Sequence, residues 1–245
     1  NDYGMIGRAN ARTGPSDVAL VVANSESLTD RENALRSLLQ DEYYTVFLVD
    51  DADATVSTLS EYDLIAVTDN GRITSAVADE LINTHNKGVV LLYSAARVYG
   101  GNWGSSSDYR YRQMYVENGQ AFLENYGGWN LGNIQNGGSA GEEYDGISGW
   151  TNLARNTYSH HYKTAMYKTG GTSGRGVILS YDPYYFTESG RNVLYRAMLW
   201  VSGHEIPVRT IPAGDVAFLI QSTDDDTPTL TEREAAVRDM LEAMG

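Results

Sequence analysis

Four short apolar runs in the first part of the chain alternate with helix-forming or polar segments, and this alternation leaves few folds open. Val18 to Ala23 is continuous rather than alternating, the pattern of a strand buried on both faces. Thr45 to Val49, Asp63 to Val67 and Gly88 to Tyr93 repeat that character. After the first run, Thr29 and Glu32 have the spacing of a capping box, in which hydroxyl and carboxylate accept from each other's backbone N–H groups. Leu28, Leu35, Leu38 and Leu39 supply the apolar stripe of the helix behind it, and a second helix pattern covers Ile73 to Thr84. Alternating elements of this kind predict an α/β fold with three layers, a doubly wound, mostly parallel sheet covered on both faces. Thr164 to Tyr167 and Gly176 to Ser180 resume the strand pattern late in the chain. A helix from Gly190 to Val201 follows, with Val193, Leu194, Met198 and Leu199 on its apolar face.

Between these two blocks, from about Ala96 to Tyr162, the pattern fails. This stretch is rich in Trp, Tyr, Gly and Asn, and its one helical-looking piece lies around Tyr111 to Tyr126. A long irregular insertion usually serves a purpose. Trp103, Tyr109, Tyr111, Tyr115, Trp129 and Trp150 are its candidate interface residues, since aromatic and arginine side chains dominate binding energy between proteins. Stacking on glycans, or simple capping of the sheet edge, are the alternatives.

Residues 1–16 read as a linker or N-terminal extension, and 204–214 as a second linker. From Asp215 the start of the first block returns. Asp215 to Leu241 matches Asp17 to Leu39 at ten identical positions, with four residues inserted at Asp224 to Thr227. The capping box recurs as Thr231 and Glu234. The expectation is a tandem repeat whose second copy begins in residues 215–245; a last βα unit of the same sheet is the alternative.

Charge narrows the partners. With 32 acidic residues against 18 basic, the net charge is −14, which repels phosphate backbones and argues against nucleic acid. No apolar run reaches the roughly 18–20 residues that span a bilayer. Cysteine is absent, which excludes disulfides, thiolate metal sites and a cysteine nucleophile. Eighteen tyrosines and only three lysines suggest an extracellular or cell-surface protein, although no Asn-x-Ser/Thr sequon supports this.

Two segments carry a family resemblance. Gly88-Val-Val-Leu-Leu-Tyr-Ser-Ala-Ala-Arg97 resembles the strand and nucleophile elbow of the class I glutamine-amidotransferase-like superfamily, including its trehalose-utilisation-like branch. Gly176-Val-Ile-Leu-Ser-Tyr-Asp-Pro-Tyr-Tyr185, with the helix after it, is similar to the strand, His-Pro-Glu turn and final helix of that family. The resemblance implies a flavodoxin-like core over Asp17–Gly203. It places the nucleophile on Ser94, the histidine on Asp182 and the glutamate on Tyr184. Acyl transfer needs a nucleophile, a base and a group that orients the base. With these replacements the catalytic positions are degenerate.

Three other readings remain at this stage. Ser94 could act as a serine nucleophile with His160 or His161 from the insertion, making a hydrolase or carbohydrate-processing enzyme, though no glycine flanks it as in Gly-x-Ser-x-Gly. Asp50, Asp51 and Asp53 at a strand end could hold Ca²⁺, as could Asp224 to Asp226. A phosphoacceptor at Asp69 is disfavoured, because the first strand ends in Asn24-Ser25 rather than an acidic pair. The turn after that strand has no glycine to admit a phosphate, so no nucleotide cofactor is expected. The leading expectation is a non-catalytic structural or interaction module. It would belong to a secreted or cell-surface repeat protein and associate with itself, neighbouring repeats or another protein through the insertion.

Overall fold

The computed structural model describes residues 17–100, 112–124, 126–137, 147–157 and 162–203, together with the backbone of 103–104 and 143–144. Residues 1–16, Tyr109, Tyr111, His160, His161 and everything after Gly203 lie outside the described residues, as do the side chains of Trp103 and Tyr144. The expected linkers, the repeat beginning at Asp215 and the Asp224–Asp226 cluster therefore lie outside as well.

The first block folds as its pattern requires. Strands β1 (Asp17–Val22), β2 (Thr45–Asp50), β3 (Leu64–Val67) and β4 (Gly88–Leu92) alternate with helices α1 (Asp30–Asp41), α2 (Val56–Leu59) and α3 (Ser75–Asn83). The capping box at the head of α1 is formed. Thr29 Oγ1 accepts from Glu32 N, and Glu32 Oε2 accepts from Thr29 N. Glu32 is fully buried, and its other oxygen accepts from Ala23 N at 3.0 Å, which ties the helix to the end of β1.

Strand β1 shows why its sequence has no polar face. Val18, Leu20 and Val22 pack on one side with α1 and the final helix, while Ala19 and Val21 pack on the other with α2 and α3. A strand covered twice must be apolar throughout. The final helix is α4 (Glu188–Val201), capped by Thr187.

The insertion is not irregular, and here the structure corrects the sequence reading. It forms β5 (Trp103–Gly104), β6 (Gln113–Val116), β7 (Asn130–Asn133), β8 (Glu143–Tyr144) and β9 (Thr151–Arg155). These precede β10 (Lys163–Gly170) and β11 (Gly174–Leu179). The sheet runs β2-β1-β3-β4-β11-β10-β9-β6-β7, with β8 on β10 and β5 on β8. The five strands from β2 to β11 are parallel, and every pairing beyond β11 is antiparallel. The sheet is thus mixed, and the insertion supplies most of its antiparallel half. The helix expected around Tyr111 to Tyr126 is instead β6 and a 3₁₀ turn at Ala121–Leu123. In β6, Met114 and Val116 are buried while Gln113 and Tyr115 are half-buried, which is the two-residue period of a strand.

One buried and one partly buried phenol give this core an alkaline limit. Tyr181 is fully buried and donates to the Gln113 carbonyl at 2.9 Å. Tyr99 donates to Asp79 Oδ1 at 2.8 Å and meets Trp150 edge-on. Burial pushes both pKa values well above the ordinary range, and the Asp79 charge raises Tyr99 further. The folded state thus holds protons that the unfolded chain releases near pH 10, so stability is full below that pH and falls as pH rises above it. We expect tyrosinate absorbance to develop in two stages. The late stage, from Tyr181 and Tyr99, should appear only together with loss of circular dichroism. Smooth titration of every tyrosine before unfolding would contradict this.

Candidate functional site

Because β1, β2, β3, β4 and β11 are parallel, their carboxyl ends meet along one edge of the sheet. The strand order reverses between β1 and β3, which opens the crevice where open α/β sheets bind ligands. The side chains that converge there are Arg31, Asp69, Tyr93, Ser94 and Asp182.

Strand β4 ends at Leu92, and the next residue, Tyr93, has φ 49° before a 3₁₀ segment at Tyr93–Tyr99. A positive φ costs a non-glycine residue about 1–2 kcal/mol, and it marks the sharp strand-to-helix turn that thrusts a nucleophile out of a sheet. The strained position is therefore Tyr93, one residue before the serine singled out by the sequence match. Ser94 is buried, and its Oγ accepts from Asn70 N at 3.1 Å.

Arg31, in the first turn of α1, covers the elbow. Its guanidinium carbon lies 4.1 Å from the centre of the Tyr93 ring, within cation–π range. One terminal nitrogen donates to Asp69 Oδ1 and the other to Asp182 Oδ2 at 2.8 Å. Burial alone would lower the Arg31 pKa, but its hydrogen bond with Asp182 and the charges of Asp182 and Asp69 outweigh that, and the net shift is upward. Asp69 Oδ2 accepts from the buried Thr68 hydroxyl at 2.8 Å. Nothing in the sequence reading pointed to Arg31.

Asp182 is buried and occupied. Besides Arg31, it accepts from Tyr184 N at 3.0 Å, which caps the 3₁₀ turn Pro183–Tyr185. Its own N–H donates to Gln135 Oε1 at 2.9 Å, and the fully buried Gln135 donates in turn to the Gly137 carbonyl. The insertion thus clamps the turn that carries Asp182. Tyr184 is 52% exposed, with its ring against Tyr185. His85, the histidine among the described residues, follows α3 near Glu80 and precedes β4, so it sits at the opposite edge of the sheet.

The acidic strand ends do not form a cation cage. Asp50 Oδ1 accepts from Ser25 N, Asp51 pairs with Arg72 at 2.9 Å, and Asp53 is exposed. Arg72 also approaches the buried Glu32 at 3.6 Å. Among the described residues no group of three or more His, Asp or Glu side chains is placed to hold a metal ion.

The aromatic candidates separate. Trp150 is buried, wedged against Gly176 and Ile82, so it belongs to the core rather than an interface. Tyr115 is half-buried with the Arg155 guanidinium 4.4 Å from its ring centre. Trp129 is 46% exposed after the Gly127-Gly128 turn. Among the described residues no helix is long and apolar enough to cross a membrane.

No family model matches the chain, and no curated protein matches it by sequence. Solved structures do. A ThuA-like protein of Bacteroides uniformis superposes with a TM-score of 0.52 at 15% identity, over 78% of this chain and 94% of that one. A glutamine amidotransferase of Thermotoga maritima gives a TM-score of 0.46 at 10% identity, over 76% of this chain and 84% of that one. At such identities the likeness is one of fold: this chain has a mixed α/β architecture similar to that of the ThuA-like protein.

Proposed function

We propose that the chain is a non-catalytic module with a doubly wound, class I glutamine-amidotransferase-like core. It works as a structural or interaction unit of a secreted or cell-surface repeat protein and associates with itself or another protein through its aromatic insertion. The observation that carries this reading is the guanidinium of Arg31 seated on the elbow residue Tyr93 and bridging Asp69 and Asp182. A nucleophile needs a base with an available lone pair. Here the carboxylate at the base position is turned to Arg31 and Tyr184 N rather than to a nucleophile, and the elbow residue is a phenol covered by a cation. The exposed indole of Trp129 supports the contact role, since partly exposed aromatics are frequent anchors of protein interfaces.

The test has two arms. Across a panel of esters and amides, the chain and its Ser94→Ala variant should be equally inactive; an activity that Ser94→Ala abolishes would replace this reading with the serine hydrolase. In sedimentation equilibrium, Trp129→Ala should weaken self-association by about tenfold or more, the scale of an aromatic hot spot. A chain that remains monomeric at high concentration would leave only a partner protein for the insertion.

A further inference from the structure

At the far end of the sheet from the insertion, β2 pairs with β1 and with no other strand among the described residues. Its outer edge therefore offers a row of backbone N–H and C=O groups, a template for another strand. Natural edges are usually blunted by lysine, proline, a bulge or an inward charge. Thr45-Val-Phe-Leu-Val49 carries none of these residues, and its register with β1 is unbroken through all six positions of β2. The flanking surface is apolar too. Phe47 is 41% exposed and packs against Tyr62 at 5.4 Å, and Tyr43 is 71% exposed.

Charge decides what fits. No lysine or arginine occurs between Arg36 and Arg72. Asp41 and Glu42 precede β2, Asp50 is its last residue, and Asp51 and Asp53 follow it, with Arg72 paired to Asp51. A second copy of β2 laid antiparallel would set Asp50 and Asp53 against the other copy's Asp41 and Glu42, and laid parallel it would set like ends together. Either way acid meets acid, on a chain that already carries −14. We propose that the outer edge of β2 receives an extended segment of a different protein, apolar at its centre and flanked by Lys or Arg at both ends, as an added strand of the sheet. Backbone hydrogen bonds fix the strand, Phe47 and Tyr43 contact its apolar centre, and the acidic ends select its flanks. This surface is separate from the aromatic insertion, which occupies the other end of the sheet order.

The probe is a labelled synthetic peptide of alternating valine and threonine between paired lysines, titrated with the full chain by fluorescence anisotropy. Saturable binding that weakens with salt is expected, and none for the same peptide with glutamates in place of lysines. N-methylating one alternate set of the peptide's amides should abolish binding and the other set leave it, because a strand bonds along one edge only. Phe47→Ser should weaken binding by about tenfold while the far-ultraviolet circular dichroism of the folded chain is retained. Absence of saturable binding by the lysine peptide would overturn the proposal, as would equal binding by both N-methylated peptides. A dimer in sedimentation that Phe47→Ser dissociates would also overturn it, assigning the edge to a second copy.

Discussion

Replacing Arg31 by methionine is expected to destabilise the folded chain by about 3 kcal/mol, the scale of breaking a buried ion pair by removing one partner. The loss comes mainly from what is left behind. The Asp69 and Asp182 side chains are only 18% and 7% exposed, and without the guanidinium each buries a charge with reduced compensation. Tyr93 would lose the cation over its ring, worth about 0.5–2 kcal/mol at such sites. Asp182→Asn alone should cost less, because an amide oxygen can still accept from Tyr184 N. The double variant should recover about 1–2 kcal/mol relative to the sum of the single losses, since the two residues share one network. Urea denaturation of the four proteins gives the cycle. Strict additivity would mean that Arg31 and Asp182 are neighbours without being partners.

The second large effect lies at the start of β11. A Cβ added at Gly174 would stand 1.8 Å from the Ile82 carbonyl oxygen and 2.7 Å from its carbon, in the last turn of α3. Backbone in a helix cannot swing aside as a side chain can, so Gly174→Ala must push α3 off the sheet. We expect a loss of about 3 kcal/mol, at the upper end for overpacking. Gly71→Ala is the control. Its φ is +83°, yet nothing lies within 4 Å of the added carbon, so only left-handed strain of about 1–2 kcal/mol should appear. Equal losses in thermal and urea melts would show that the close approach to Ile82 is less tight than these distances.

The parallel half was legible because burial on both faces removes polar residues from a strand, and because Thr29 and Glu32 advertise a helix start. The antiparallel strands of the insertion were not. They are two to five residues long, and register shifts at Gln113/Tyr115 and where β9 meets β10 disrupt their pairing. Trp150 misled because an aromatic ring looks alike in sequence whether it anchors an interface or fills a core. Arg31 was missed although a signal existed. A cation in the first turn opposes the helix dipole, so an arginine there calls for a local anion. It also recurs as Arg233 among the ten identities of the later segment. The positive φ falls on Tyr93, one residue before Ser94, and no glycine marks that turn in the sequence.

The position of β11 bears on the order in which the molecule assembles. It joins β10 through the short turn Gly171–Ser173, yet its other neighbour, β4, precedes the entire insertion. The local hairpin can form early, whereas its docking on β4 must await closure of a very long loop, a non-local step of the kind that slows folding. Until that seam closes, β4 exposes one unpaired flank, and the half-built sheet is most vulnerable to aggregation there.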